Sequence, residues 1–174
     1  GDNMKGYIQV YTGNGKGKTT AALGLSIRAA GAGLKVFIIQ FMKMGDYSEI
    51  KALQKFPDQI TIEQYGKGKF VKGKPSREDI DAAQNGLERV NAVIESSEYD
   101  VIILEEANVA VMCDLFPVEK LIDIIDKKPD NLELVITGRG AHAEIIKRAD
   151  LVTEMKEIKH YYNEGVTART GIEK

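Results

Sequence analysis

The fold of this chain is decided by the stretch Thr12-Gly13-Asn14-Gly15-Lys16-Gly17-Lys18-Thr19-Thr20. A short apolar run, residues 7–11, comes before it, and a run rich in alanine and leucine, residues 21–30, follows it. A strand, a glycine-rich turn and a helix in this order are the context of a phosphate-binding loop. The backbone N–H groups of such a turn and the positive end of the new helix together bind an anion. The stretch therefore predicts a nucleotide-binding protein.

Two side chains of this stretch are expected to act on the nucleotide. Lys18 reaches the phosphate oxygens in this interpretation, and the hydroxyl of Thr19 binds Mg²⁺. The strict motif has a glycine five residues before Gly17, where this chain has Thr12, and the nearest glycine is Gly13. An ordinary surface turn is the alternative. It is disfavoured because Gly-Lys-Thr closes a glycine-rich turn directly after an apolar run.

Length and composition predict one soluble domain, a P-loop nucleotide-binding domain over residues 1–174. The chain is 43% hydrophobic and 29% charged, with a net charge of −2. Because acids and bases nearly balance, neither nucleic acid nor an anionic membrane is expected as a partner. No apolar run approaches the ~20 residues of a membrane span. The single cysteine cannot form an internal disulfide, and a cytoplasmic location is predicted. Residues 1–3, ahead of Met4, are interpreted as vector-derived.

Hydrophobic patterning predicts six strands that alternate with helices. The strands are expected at residues 7–11, 35–41, 59–65, 100–106, 132–137 and 151–155. The helices are expected at residues 18–32, 48–55, 76–97, 117–127 and 141–148. This order is typical of an α/β fold of the three-layer P-loop NTPase (RecA-like) type, with a mostly parallel sheet and helices on both faces. The carboxyl ends of the strands then meet at one edge, where the ligand is expected.

Two segments each allow two interpretations. The apolar stripe of the helix at 76–97 packs either on the sheet, which is favoured, or against a second copy of the chain. The segment after Lys156 either closes over the site or packs behind the sheet. The stripe consists of Ile80, Ala83, Leu87, Val90 and Ile94.

The strand at 100–106 ends in two acids, Glu105 and Glu106. A buried strand that ends in a carboxylate opposite a phosphate-binding loop is typical of a Mg²⁺ site. Because side chains alternate along a strand, the two acids are expected to point to opposite sides. Arg139, between two glycines after a strand, is interpreted as a phosphate or substrate contact, with a solvated turn arginine as the alternative. Arg28, on the helix after the loop, is interpreted as a nucleotide contact or a surface ion pair.

On these residues the chain resembles the P-loop ATP:corrinoid adenosyltransferases of cobalamin biosynthesis and salvage. The similarity extends from about Lys5 to Glu173, and its most specific parts are the variant loop and Thr137-Gly138-Arg139-Gly140. The resemblance implies that the 5′-deoxyadenosyl group of ATP is transferred to the Co(I) centre of a reduced corrinoid, with release of triphosphate. An ATP hydrolase of similar fold and a nucleotide-dependent regulatory module are the alternatives.

The resemblance also implies roles for individual residues. Lys18, Thr19 and Glu106 form the implied catalytic set, and the last two are the implied ligands of Mg²⁺ or Mn²⁺. The chain has no tryptophan, so Phe70 is the candidate for the aromatic contact that relatives make with the lower face of the corrin. A flavoprotein reductant and a homodimer are implied as well. The implied nucleotide contacts are Gly13, Asn14, Gly15, Lys16, Gly17, Lys18, Thr19, Thr20, Arg28 and Arg139.

Overall fold

The computed structural model of the protein describes residues 4–68 and 71–174, and within these residues six parallel strands form one sheet. The order across the sheet is β3-β2-β4-β5-β1-β6. The phosphate-binding loop therefore leaves a strand in the interior of the sheet, with a neighbour on either side. The parallel six-stranded sheet that the sequence predicts is confirmed. The strands are β1 Ile8–Thr12, β2 Val36–Phe41, β3 Ile60–Tyr65, β4 Val101–Glu105, β5 Glu133–Thr137 and β6 Leu151–Glu154.

Helices follow the strands at nearly the predicted positions, with one additional α-helix and a 3₁₀ helix. The additional helix, α4, follows β4 at once and begins after Glu106, whose backbone is left-handed at φ 61°. The short apolar run at 107–112 has no N-capping Ser, Thr, Asp or Asn before it, so the usual start signal of a helix is missing. The helices are α1 Lys18–Gly31, α2 Ser48–Leu53, α3 Arg77–Ser96, α4 Ala107–Met112, α5 Val118–Lys127 and α6 Ala143–Arg148, and a 3₁₀ helix spans Tyr161–Glu164.

Both faces of the sheet are covered, because the strands are apolar on both sides. In β2, Phe37 and Ile39 belong to the core that α3, α4, α5 and α6 cover. Val36 and Ile38, which alternate with them, belong to the core on the α1 and α2 side. Continuous apolar strands are typical of parallel sheets between two helical layers. The three-layer arrangement is confirmed.

The apolar stripe of α3 packs on the sheet, as the favoured interpretation holds. Ala83, Leu87 and Val90 are buried in the same core as β2 and β4. A Cβ atom added at Gly86 would lie 2.7 Å from Cε1 of Phe41, so a larger residue at this position would overlap the Phe41 ring unless one of them moved. The stripe is thus buried within the chain and is not a surface for a second copy.

A membrane span would need a long helix with few charges. None of the helices in residues 4–68 and 71–174 has the required length and apolar character.

Alanine at Gly86 is expected to lower the free energy of unfolding by about 1–3 kcal/mol, because the new methyl group overpacks the contact with Phe41. Alanine at Gly24, inside α1, is the matched control, because a Cβ atom there meets no atom within 4 Å. The control is expected to raise the same free energy by about 0.5–1 kcal/mol, since glycine is a poor helix former. Urea unfolding of both variants measures this. An unchanged midpoint for Gly86→Ala would show that α3 moves away freely.

Candidate active site

The phosphate-binding loop, residues 13–17, curls tightly between β1 and α1. Gly13 and Gly17 have φ of 100° and 123°, a backbone conformation that favours glycine. The N–H of Gly15 donates to the carbonyl oxygen of Met155 at 2.7 Å. A Cβ atom at Gly13 would lie 2.3 Å from that same oxygen. The loop is therefore held against the chain that follows β6, and only glycine fits at this contact.

Thr12 explains why the loop lacks the first glycine of the strict motif. It is the last residue of β1, and extended backbone needs no glycine. Its buried hydroxyl accepts a hydrogen bond from the backbone N–H of Ala141 at 3.1 Å. The first left-handed residue of the turn is Gly13, one position later. Thr12 is thereby available to fix the loop after β5 beside the phosphate-binding loop.

Lys18 and Thr19 begin α1 at the cavity wall. The Nζ of Lys18 donates to the carbonyl oxygen of Gly15 at 2.7 Å. Partial burial lowers the pKa of Lys18, Glu106 opposes this, and Arg139 adds to it. The hydroxyl of Thr19 donates to Oε1 of Glu105 at 2.5 Å. The loop is thus joined directly to the end of β4.

Glu105 is buried on the α1 side of the sheet, the same side as Ile103, which lies two residues earlier in the strand. Besides the hydroxyl of Thr19, its carboxylate accepts a hydrogen bond from Nζ of Lys43 at 2.8 Å. Its Oε2 accepts from Nε2 of Gln40 at 2.5 Å. Burial of a carboxylate is costly unless it is hydrogen-bonded and paired in this way. Glu105 is therefore the centre of a network that joins α1, β2 and β4.

Glu106 does not follow the alternation of β4, because the strand ends before it and its backbone is left-handed. Its N–H donates to the hydroxyl of Thr137 at 3.2 Å, and its side chain lines the cavity. Burial raises the pKa of the Glu106 carboxyl; Lys43 opposes the rise, and Glu105 adds to it. The prediction that the two acids point to opposite sides of the sheet does not hold for this turn. The side chains of Glu105 and Glu106 both lie at the edge of the sheet that carries the phosphate-binding loop.

A cavity of about 950 Å³ opens in front of the phosphate-binding loop. The loop and α1 form one wall, Lys43, Glu106 and α2 form another, and residues 157–174 close a third side. The hydroxyl of Ser48, in α2, donates to the backbone oxygen of Lys174 at 3.1 Å. Of the two interpretations of this terminal segment, closure over the site is therefore the one that the structure shows.

Most of the predicted site residues line this cavity: Asn14, Gly15, Lys16, Gly17, Lys18, Thr19, Thr20 and Glu106. Gly13 lies behind the loop, against Met155.

The remaining predicted contacts lie elsewhere or outside the described residues. Arg139 is exposed after β5, and its charge acts on Lys18 and Glu106. Arg28 is exposed in the last turn of α1, roughly 15 Å along the helix from Lys18, and its charge acts on Tyr11. Phe70 lies outside the residues that the structure describes.

Sequence reasoning missed Gln40 and Lys43. Gln40 is fully buried in a strand whose other residues are apolar. Lys43 comes two residues after the same strand, at the edge where the ligand was expected. A polar residue inside an apolar strand and a cation just beyond it are the signals that could have found them.

The donor set fits a nucleotide-bound Mg²⁺. Thr19 and Glu106 supply oxygen atoms, which this ion prefers, and the negative charge of Glu105 lies beside them. Within residues 4–68 and 71–174 no three His, Cys, Asp or Glu side chains converge on a metal position. Magnesium at nucleotide sites takes only one or two carboxylates together with phosphate oxygens, so a larger protein cluster is not required.

Residues 4–173 match the family model described as ATP:corrinoid adenosyltransferase BtuR/CobO/CobP. The chain belongs to this family. The resemblance drawn from the loop and the Thr-Gly-Arg-Gly segment is therefore confirmed, as is the assignment to a family of transferases.

Named relatives of the family agree with the match. The chain is 35% identical over 170 residues to the corrinoid adenosyltransferase of Escherichia coli K12. The matched region covers 97% of this chain and 86% of that protein. It is 32% identical over 169 residues to corrinoid adenosyltransferase CobA of Salmonella typhimurium, covering 97% and 86%. For the corrinoid adenosyltransferase of Pseudomonas aeruginosa the identity is 31%, with 97% and 84% covered.

A solved structure shows the same fold at low sequence identity. The KaiC-like protein PH0186 of Pyrococcus horikoshii superposes with a TM-score of 0.56, covering 86% of this chain and 72% of that one, at 11% identity. This likeness supports the predicted three-layer fold and carries no inference about substrates.

Glutamine at Glu106 is expected to raise the free energy of unfolding at pH 7 by about 1 kcal/mol in metal-free buffer, because it removes a partly desolvated charge. The folded-state pKa of Glu106 lies above its ordinary value of 4.5. The folded chain therefore binds the proton more tightly than the unfolded chain, and its stability falls as pH rises through this range. The gain from Glu106→Gln should disappear below pH 4.5, where the carboxyl is neutral. Thermal unfolding from pH 4 to 8 measures this.

Glutamine at Glu105 is the contrasting variant. It replaces one acceptor oxygen by an NH₂ group that faces a donor, so a loss of about 2 kcal/mol is expected at pH 7. A loss of stability in Glu106→Gln, or a gain that persists in acid, would contradict the assignment of the desolvated charge to Glu106.

Proposed function

We propose that this chain transfers the 5′-deoxyadenosyl group of ATP to the Co(I) centre of a reduced corrinoid and releases triphosphate. The observation that carries the proposal is the convergence of Lys18, Thr19 and Glu106 on a cavity of about 950 Å³, in a chain of the adenosyltransferase family. A cavity of this size accommodates a ligand as large as a nucleotide. Its phosphate end is formed by backbone N–H groups and a lysine.

The reaction needs no proton transfer. The cobalt electron pair forms the bond to C5′ as the bond between C5′ and its oxygen breaks. The electron pair of the broken bond between C5′ and oxygen stays on the triphosphate, and cobalt is formally oxidised from Co(I) to Co(III). The protein must therefore hold C5′ in line with cobalt and stabilise the charge that develops on the leaving group.

The residues of the loop are placed to stabilise that charge. The N–H groups of the loop and the start of α1 point their positive ends at the phosphates. Lys18 adds a full positive charge, and Arg139, whose charge acts on Lys18 and Glu106, adds another near the same place. A Mg²⁺ or Mn²⁺ ion held by Thr19 and Glu106 would neutralise part of the triphosphate charge.

Glu105 has a different role from Glu106 in this proposal. It is buried at 1% exposure, so it cannot itself contact a ligand in the cavity. By accepting the hydrogen bond from the Thr19 hydroxyl it leaves the oxygen lone pairs of Thr19 free for a cation. Glu105 is thus a positioning residue, and Glu106 is the ligand.

Several finer predictions from the sequence and the resemblance remain predictions. They are the nucleotide contact of Arg28, the corrin contact of Phe70, a flavoprotein reductant, a homodimer and a cytoplasmic location.

Incubation with MgATP and chemically reduced cobalamin without oxygen tests the function. Adenosylcobalamin, followed by the corrin spectrum, and one triphosphate per turnover are expected. Lys18→Ala should lower the rate at least ~10²-fold with an unchanged melting temperature, because it removes charge from the leaving-group site. Diphosphate and phosphate without a spectral change would replace the proposal by ATP hydrolysis. Tight ATP binding without any product would favour a regulatory module.

Glutamine at Glu106 is expected to raise the Mg²⁺ concentration needed for half-maximal activity about tenfold or more. Glu105→Gln should change this concentration less, because Glu105 acts through the Thr19 hydroxyl. Both variants are titrated with Mg²⁺ at saturating ATP. The reverse order would make Glu105 the metal ligand.

A further inference from the structure

Lys43 is a cation of the site that neither the loop motif nor the acid pair includes. It lies in the turn after β2, and its ammonium group is 2.8 Å from Oε1 of Glu105. Partial burial lowers the pKa of Lys43, but Glu105 and Glu106 more than compensate, so it stays charged. Its side chain is 21% exposed and lines the cavity, whereas Glu105 is 1% exposed. Lys43 is therefore the side of this ion pair that a ligand can reach.

The backbone at Lys43 is fixed. Met42 is left-handed at φ 64°, and its N–H donates to the oxygen of Tyr65 at 3.0 Å. A Cβ atom at Gly66 would lie 2.5 Å from the backbone nitrogen of Lys43. Next along the turn, the N–H of Gly45 donates to the Gln64 side chain at 3.0 Å. Only the flexible four-carbon side chain of Lys43 is free to turn from Glu105 towards the cavity.

Lys18 and Lys43, two of the lysines that line the cavity, each donate to an oxygen atom of the protein. The ammonium of Lys18 donates to the oxygen of Gly15, and that of Lys43 donates to Glu105. Glu105 and Glu106 balance these two positive charges. Adding a divalent cation at Thr19 and Glu106 places two further positive charges next to Lys43 and repels it. The triphosphate chain brings several negative charges to the same place and attracts it.

We propose that Lys43 is a second catalytic lysine, which leaves Glu105 when the nucleotide and its cation bind and then contacts the triphosphate. The charge of Lys43 beside Glu105 and the charge of a divalent cation at Thr19 and Glu106 accordingly repel each other, and Lys18 and Lys43 hold the leaving group from two sides. This inference rests on the proposed function only for the identity of the reaction, since the binding steps need ATP or triphosphate alone.

Binding of Mn²⁺ without nucleotide is the first test. It is measured by the loss of the free-ion signal in electron paramagnetic resonance. Lys43→Met removes the repelling charge and keeps the length of the side chain. Its affinity for Mn²⁺ should rise about tenfold. Lys51→Met is the matched control, because Lys51 is an exposed lysine of α2, pairs with Asp46 and does not line the cavity. The control should bind Mn²⁺ as the unaltered protein does.

Binding of inorganic triphosphate in the presence of a chelator is the second test, measured by titration calorimetry. Lys43→Met should bind triphosphate about tenfold more weakly, and Lys43→Arg, which keeps the charge, should lose less. In the transfer reaction Lys43→Met should lower kcat about 10²-fold with a smaller change in KM for ATP. A residue that only holds Glu105 would change the melting temperature and leave triphosphate binding as it is.

Unchanged triphosphate affinity in Lys43→Met, or Mn²⁺ affinity that stays the same or falls, would overturn the proposal. Both binding measurements are made without a corrinoid. A failure of adenosyl transfer therefore leaves them interpretable, and a failure of the Lys43 inference leaves the proposed function standing.

Discussion

The hydrogen bond from the hydroxyl of Thr19 to the carboxylate of Glu105 is the contact on which the site depends. It joins the first turn of α1, the helix that follows β1, to the end of β4. The strands β1 and β4 are not neighbours in the sheet, since β5 lies between them. The bond therefore fixes the phosphate-binding loop relative to the acid pair. Because Glu105 is buried, its charge would be costly without partners, and Gln40 and Lys43 supply them from β2 and its turn. One carboxylate thus sets the geometry of three segments.

Two residues outside the glycine positions take up a left-handed backbone where this edge of the sheet is formed. Met42 directly follows β2, at φ 64°, and Glu106 directly follows β4, at φ 61°. Such conformations are costly for residues with a Cβ atom and persist only where the surroundings hold them. At Glu106 the turn stops the side-chain alternation, so two acids in sequence remain beside one cavity. At Met42 it directs the chain so that Lys43 returns to the acids. The site therefore depends on the ends of strands as much as on the loop.

The sequence was sufficient for the parts of this molecule that are local. The apolar strands, the glycine-rich turn and the long helix α3 all rest on residues close in the chain, and at the start of α3 Ser76 and Asp79 exchange hydrogen bonds as a capping box. Local signals could have marked Gln40 and Lys43 as unusual, but not their roles, because these arise from contacts with Glu105 across more than sixty positions. The short helix after Glu106 was missed for a related reason. Its start depends on a left-handed residue held by Thr137, which no local pattern reveals.

The walls of the cavity differ in how tightly they are packed. This difference bears on which substrate each wall is expected to bind. The loop, Lys18 and Glu105 belong to the packed sheet and its first helix. The segment 157–174 is exposed along most of its length and is ordered mainly by its own contacts. Within it, Arg169 pairs with Glu173 at 2.9 Å, and Arg169 lowers the pKa of that carboxyl to about 2, with help from the hydroxyl of Tyr161. Exposed ion pairs contribute little to stability, so this wall opens at lower cost than the loop wall. For the proposed reaction we therefore expect the triphosphate against the loop wall and entry of the large second substrate past the segment 157–174.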